Sequence, residues 1–469
     1  MGGVDATWLC APPVATLEWS MTRGSTVSSH SKGDLRVHQL WFKRSLILSL
    51  AAVLTAVACG TSSTPSAGSV NVMATWTGAE QASFFAVMKP FTDQTGITIN
   101  YEASRDQDAL LTTRVAAGNP PDLAAAPSPA LLTSFAKAGK IKALNTVVDM
   151  TALQSQYAKS WIDLGEPLAD GKLYQVYSWV SLKGLIWYNP KNFQAKGYSI
   201  PNSWDNLLAL QDTIKSSGTT PWCIGLESGA ASGWPGSDWV KEIVLSQSGP
   251  TVYDNWWQGK QKWTSPEIKL AWQTWGQILG SGDSNVYGGA KNMSATNFGD
   301  AGTPMFQNPP KCYMHNQASF ITSFFQSANA SLVAGNDYNF FSLPDITAQY
   351  AGAHVVAGDA WSMFNDTPQA QKMLQYLMTA DAQAIWVKRG GKISPNNQVP
   401  LTDYPDALSK STAQILVATK IAKYDAGDQM PSDMRNAYWS AVLSFAQNQG
   451  NLNSILANLD AVQAKAYTS

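Results

Sequence analysis

Histidine and cysteine are scarce in this chain of 469 residues, with four of each, so a metal centre built from closely spaced imidazoles and thiolates is excluded. No apolar run reaches the roughly 18 residues that a stable membrane-spanning helix requires. Neither a GxGxxG nor a GxxxxGK[ST] loop occurs, which removes the usual cradles for nucleotide phosphates. No sign of charge dominates either. Lys plus Arg number 32 and Asp plus Glu 33, leaving no basic surplus to neutralise nucleic-acid phosphates. Internal repeats are also missing. No cofactor is expected from this inventory.

What the chain does have is tryptophan, 19 in all. Three of them, Trp222, Trp234 and Trp239, fall in the stretch PWCIGLESGAASGWPGSDW at residues 221–239, among Gly and Ser that let backbone come close to a guest. Glu227 and Asp238 add acceptors there. The stretch reads as a loop followed by a helix starting near Ser237. Indole faces beside convergent acceptors are how proteins hold a neutral polyhydroxylated ring, although any one of these tryptophans could equally pack a core.

Residues 1–58 differ from the rest. Lys43 and Arg44 precede an apolar run at 46–57, and Ala58 leads into Cys59, the pattern of a secretory leader. Residues 59–69, rich in Ser, Thr, Pro and Gly, read as a flexible tether. Of the cysteines beyond the leader, Cys223 and Cys312 form an isolated pair that outside the cytosol is expected as a disulfide, with free buried thiols as the alternative.

From residue 70 onward, strand and helix patterns alternate through about residue 123, which argues for an α/β lobe with a largely parallel sheet. Ligands sit at the carboxyl ends of such strands. The loops there carry Trp76 and Glu80, then Arg105 and Asp106, then Ser128. Glu80 and Asp106 also suit a first-turn charge and a helix N-cap. YQVYSWVSLKGLIWY, residues 174–188, reads as a long strand passing from one lobe to another. Trp272 and Trp275, spaced i, i+3 on a helix, read as core.

Many stretches together resemble one family: PPDLAAAPSPALL, KGLIWYNPKNF, TPWCIGLESGAASGWPGSDW, TNFGDA, CYMHNQASFITSFF, WVKRGGKISPN and DQMP. The chain resembles the extracellular solute-binding proteins of carbohydrate ABC importers, the maltose-binding-protein-like group, and within it the α-glucoside-binding branch. Where members of that branch often carry an acidic residue after the first crossing, this chain has SWVSLKG.

The resemblance implies a two-lobe periplasmic-binding-protein-like fold of type II, with the ligand cleft between lobes. Residues 70–179 and 344–380 would form the N-terminal lobe, and 180–343 and 381–469 the C-terminal lobe, with crossings near Trp179, Leu343 and Thr379. It implies Trp76, Glu80, Asp106, Ser128, Trp179, Glu227, Trp234, Asp238, Gln317, Ser319, Asp359 and Trp439 as sugar contacts. Arg389, Asp425 and Asp428 are weaker candidates, because they also suit a solvated helix end and loop caps. The implied partners are a neutral mono- or oligosaccharide, a membrane permease and a cytoplasmic ATPase. The protein would act as a monomer, anchored outside the cytoplasm by a lipid on Cys59. The rival expectation is a secreted glycoside hydrolase using Glu227 with Glu80 or Asp359 as its carboxyl pair.

Overall fold

A computed structural model describes residues 67–168 and 170–468. The leader, Cys59 and most of the tether lie outside the described residues. Among the described residues ten strands form two sheets, each wrapped by helices. The first runs in the order β10-β9-β3-β1-β2. It contains β1 (Ser69–Ala74), β2 (Thr98–Ala103), β3 (Leu123–Ala126), β4 (Val176–Leu182), β9 (Ala353–Met363) and β10 (Ile421–Tyr424), with β4 also paired to β9. The second runs β6-β7-β5-β8 and contains β5 (Leu185–Tyr188), β6 (Thr220–Trp222), β7 (Cys312–Asn316) and β8 (Asn339–Ser342).

In the first sheet β1 is parallel to both β2 and β3, with Val72 opposite Tyr101 on one side and Leu123 on the other. Alternation along β1 sets its faces: Val70 and Val72 are buried while Ser69 and Asn71 are exposed. β9 is antiparallel to β3 and β4, and β10 parallel to β9. Beneath this sheet four indoles meet. The Trp76 ring lies 5.9 Å from Trp179, 5.7 Å from Trp361 and 4.9 Å from Trp386. Such edge-on contacts are worth roughly 0.5–1.5 kcal/mol each beyond the area they bury.

The second lobe is organised around the helix Trp234–Trp257, which bends at Gly249. Against it pack the helices Pro266–Leu279 and Ser432–Gln447. Trp272 and Trp275 are fully buried in that core, beside Phe445.

Three segments cross between the sheets. The first is not one long strand: β4 ends at Leu182, and the chain turns at Lys183 and Gly184 before β5. Gly184 sits at φ 67°, and a Cβ there would come within 2.6 Å of the Glu242 carboxylate, so both its torsion and its neighbour require glycine. The second crossing follows β8, from Leu343 onward to β9. The third does not lie at Thr379. That residue caps the helix Ala380–Val387, its hydroxyl accepting from the Ala382 N–H. The helix packs on Gly78–Thr95 of the first lobe. The chain returns to the second lobe only after β10, through residues 425–431. Residues 381–424, expected in the C-terminal lobe, therefore belong with the first sheet.

Cys223 and Cys312 are joined as a disulfide, with Cα atoms 5.4 Å apart, linking the end of β6 to the start of β7. On a chain-entropy estimate, closing a loop of this length is worth about 4–5 kcal/mol. Non-reducing peptide mapping should recover residues 223 and 312 in one linked peptide, and reduction should lower the thermal midpoint. Two separately alkylated peptides would show the bridge absent.

Candidate functional site

The loops after β1, β2 and β3, a bend in β9 and the amino end of the Trp234–Trp257 helix meet at a cavity of about 150 Å³. One water occupies ~10–15 Å³ by the same measure, so the space suits a guest the size of on the order of ten waters. Both lobes supply its walls.

On the first-lobe wall, Trp76 donates its indole N–H to Asp359 Oδ2 at 2.8 Å, which fixes the ring against the β9 bend. Glu80, in the first turn of Gly78–Thr95, is buried and receives Arg105 Nη2 at 2.7 Å and Lys392 Nζ at 3.3 Å. Burial alone would raise the Glu80 carboxyl, but the Lys392 and Arg105 charges outweigh it and hold it below its ordinary value. It stays ionised at neutral pH.

On the second-lobe wall, Trp234 begins its helix directly after Gly233, whose φ of 105° only glycine adopts freely. A Cβ at Gly233 would also strike the Trp439 carbonyl oxygen at 2.3 Å, so this glycine seats two cavity tryptophans against each other. Phe298 and Phe320 flank Trp234, with ring centres 5.1 and 6.2 Å away.

The floor is charged. Lys183 Nζ donates to Asp238 Oδ1 at 2.9 Å and to Asp425. Lys241 Nζ reaches Asp238 at 2.7 Å and Asp425 Oδ1 at 2.7 Å. Burial would lower the Lys183 ammonium, yet Asp238, Asp425 and Asp428 raise it above the ordinary lysine value. Burial likewise opposes the Asp425 charge, and Lys183 and Lys241 overcome it, holding that carboxyl well below its usual range. Asp428 is half-buried; burial, then the Asp425 charge, push it up. The lining has four cations, Arg105, Lys183, Lys241 and Lys392, against the carboxylates of Glu80, Asp359 and Asp425 and the adjoining Asp238, because Asp428 is raised to about 8 and is neutral at pH 7. This balance gives no field to select an ionic guest.

Of the residues expected at the site, Trp76, Glu80, Trp234, Asp359 and Trp439 line the cavity, as do the weaker candidates Asp425 and Asp428. The others do not. Trp179 is core, its indole N–H donated to the Gln383 carbonyl at 3.2 Å. Glu227 spends its oxygens on the Gly229 N–H and on Asn297 Nδ2, both at 2.7 Å. Gln317 bonds the backbone N–H of Ala318, and the Ser319 hydroxyl accepts from the Leu182 N–H. Asp238 supports the lysines from behind. Asp106 accepts the Ala230 N–H at 2.8 Å, and Ser128 donates to Asp108 at 2.6 Å. Arg389 donates to Ser83, whereas Lys392, three residues on, faces the cavity. Lys183, Lys241, Phe298 and Phe320 were missed. The departure at SWVSLKG was the one sequence signal for Lys183.

His315 is buried, with Nδ1 2.9 Å from the Cys223 carbonyl, and burial lowers it to about 4, so it is neutral at ordinary pH and structural. Among the described residues no group of three or more His, Cys, Asp or Glu is placed to hold a metal ion. Nor, among them, is any helix long and apolar enough to cross a membrane.

A two-lobed α/β protein with a solute-sized cavity between its sheets has the architecture of an extracytoplasmic solute-binding protein. The family described as bacterial extracellular solute-binding protein matches residues 75–384, and the chain belongs to it. It is 33% identical over 401 residues to the osmoprotective compounds-binding protein GgtB of Synechocystis sp., covering 85% of this chain and 94% of that one. It is 31% identical over 383 residues to the alpha-glucosides-binding periplasmic protein AglE of Rhizobium meliloti, covering 80% and 83%. Among solved structures, the bacterial solute receptor AcbH shares the fold with a TM-score of 0.74 at 20% identity, over 86% of this chain and 99% of that one. A chitin oligosaccharide binding protein gives 0.74 at 18% identity, over 86% and 99%.

Glu242, on the same helix as Asp238 and Lys241, provides a pH test of this buried floor. It accepts the Val355 N–H at 3.2 Å, and burial raises its carboxyl to about 8. A raised folded-state pKa contributes stability that is present below the unfolded value, near 4.5, and is lost as pH climbs through about 8. Denaturant titrations of Glu242→Gln and the parent should therefore diverge in the variant's favour as pH rises from 5 to 8. A difference constant across that window would show that Glu242 is ionised throughout.

Proposed function

We propose that the protein binds a neutral glycoside of the α-glucoside class in the cavity between its lobes. It hands that ligand unchanged to an ABC permease driven by a cytoplasmic ATPase. It works outside the cytoplasm, tethered by a lipid on Cys59. The observation that carries this reading is a cavity walled by Trp76, Trp234 and Trp439, whose lysines and arginine are each paired with buried carboxylates. Indole and phenyl faces cover the apolar face of a pyranose, and fixed carboxylates and ammonium groups satisfy its hydroxyls. A hydroxyl left unpaired in the closed cleft would cost about 1–3 kcal/mol, which is the basis of selection. The name of AglE supports the α-glucoside class, and that of GgtB makes small osmolytes the competing ligands.

The carboxyl pair expected for a hydrolase, Glu227 with Glu80 or Asp359, is not assembled in the cavity. A hydrolase needs one protonated acid and one carboxylate across the scissile bond. Glu227 is tied off outside the cavity, and Glu80 is held ionised by two cations.

Calorimetry with maltose, trehalose and sucrose, with glycine betaine as the ionic comparator, tests the class. At least one glucoside should bind and be recovered intact, and Trp234→Ala should weaken it by about 10-fold or more without lowering the thermal midpoint appreciably. Binding of betaine alone, release of glucose, or an unchanged titration in Trp234→Ala would each overturn the reading.

A further inference from the structure

We propose that Arg435 is the positioning residue that couples stacking of a guest on Trp439 to closure of the lobes, by clasping Asp108 and Ser128 of the opposite lobe. The inference rests on the preceding section for the nature of the guest, but its geometry stands independently. Arg435 lies on the Ser432–Gln447 helix, which packs in the second lobe, and is 1% exposed. A guanidinium buried so deeply needs partners. Its ion-pair partner is the Asp108 carboxylate, in the first turn of the helix that follows β2, and its hydrogen-bond partner the Ser128 hydroxyl, two residues past β3. Ser128 in turn donates to Asp108 Oδ2 at 2.6 Å, so the three groups form a closed triangle across the seam.

One helical turn further, Trp439 lies beneath the guanidinium, whose central carbon is 4.8 Å from its ring centre. Trp439 also lines the guest cavity. The same indole therefore touches both the guest space and the clasp. A second tie lies beside it: Asp106 Oδ1 accepts the Ala230 N–H from the other lobe, over Gly229, where a Cβ would come within 2.8 Å of that oxygen.

The clasp is incomplete. Arg435 Nε and Asp108 Oδ1 are buried and have no hydrogen-bond partner. Opening returns both atoms to water, so closure without a guest is opposed by their desolvation. A guest pressing on Trp439 fixes the indole against which the guanidinium rests, and supplies the free energy that the clasp alone lacks.

The test compares the parent with Arg435→Met, Asp108→Asn and the exchanged pair Arg435→Asp with Asp108→Arg, using maltose as the probe. Stopped-flow tryptophan fluorescence should show maltose leaving Arg435→Met and Asp108→Asn about 10-fold faster or more, with association changed less than 2-fold. Hydrogen exchange at residues 228–232 should quicken in the same variants, and the exchanged pair should recover part of both effects. A purely structural role would lower the thermal midpoint without moving exchange at 228–232. If either readout stays within 2-fold of the parent in Arg435→Met and Asp108→Asn, the proposal is wrong. Should Arg435→Met fail to fold, Asp108→Asn and the milder Ser128→Ala decide it. If maltose does not bind the parent, exchange at 228–232 in unliganded protein decides the clasp by itself, and the assignment of the guest fails separately.

Discussion

Lys183, Asp238, Lys241 and Asp425 are buried together where the crossings meet, and the relation of the two lobes depends on that cluster. Removing an ion from water costs several kcal/mol even after relaxation, so none of the four could lie there alone. Alternating signs and short contacts make the group tolerable. The cost explains the location: groups that need one another this strongly fix the segments that carry them. Lys183 belongs to the first crossing and Asp425 opens the third, while Asp238 and Lys241 stand three residues apart on the Trp234–Trp257 helix. The second crossing reaches the same helix, through Val355 on Glu242, Ile346 on Ser246 and Thr347 on the Gln247 carbonyl. One helix therefore receives all three connections.

That helix also begins at the guest cavity. Its first residue, Trp234, faces the cavity, and Lys183, held up by the floor acids, lies 5.4 Å from the Trp234 ring. The charged cluster and the cavity wall are thus parts of one helix, separated by about one turn.

The parallel strands β1, β2 and β3 were legible from the succession of strand and helix patterns between residues 70 and about 123, because those signals are local. Trp272 and Trp275 were legible as core for the same reason. The family stretches carried the two-lobe fold. What the sequence hid was pairing at a distance. Trp179 looked available until the Gln383 carbonyl, 204 positions away, took its N–H. Thr379 was placed at a crossing, yet it caps a helix that stays on the first lobe, and the short strand β10 beyond it lacked a distinct pattern. The KRGGK run suggested solvated cations. Lys392 instead turns inward because Glu80 and Asp359 await it, a fact no window of sequence contains. Glu227 failed for the opposite reason: its partner at Gly229 is only two residues on, and a carboxylate next to a glycine turn often serves that turn.

Asp106 and Ser128 show what the strand-end rule can and cannot locate. Ligands lie beyond the carboxyl ends of strands in open α/β sheets, and both residues do stand at that crevice. In a single-sheet protein the crevice has one wall and solvent beyond it, so a polar residue at its rim faces either guest or water. With two lobes there is a third possibility, the opposing wall, and here Asp106 meets Ala230 and Ser128 meets Arg435. Closing a cleft brings wall against wall around the guest as surely as it brings wall against guest. Residues at the rim therefore divide between the two tasks by depth: Trp76 and Glu80 lie at the cavity, while Asp106 and Ser128 lie where the lobes touch. Position along the strand ends alone does not separate these tasks, because it carries no information about depth in the crevice.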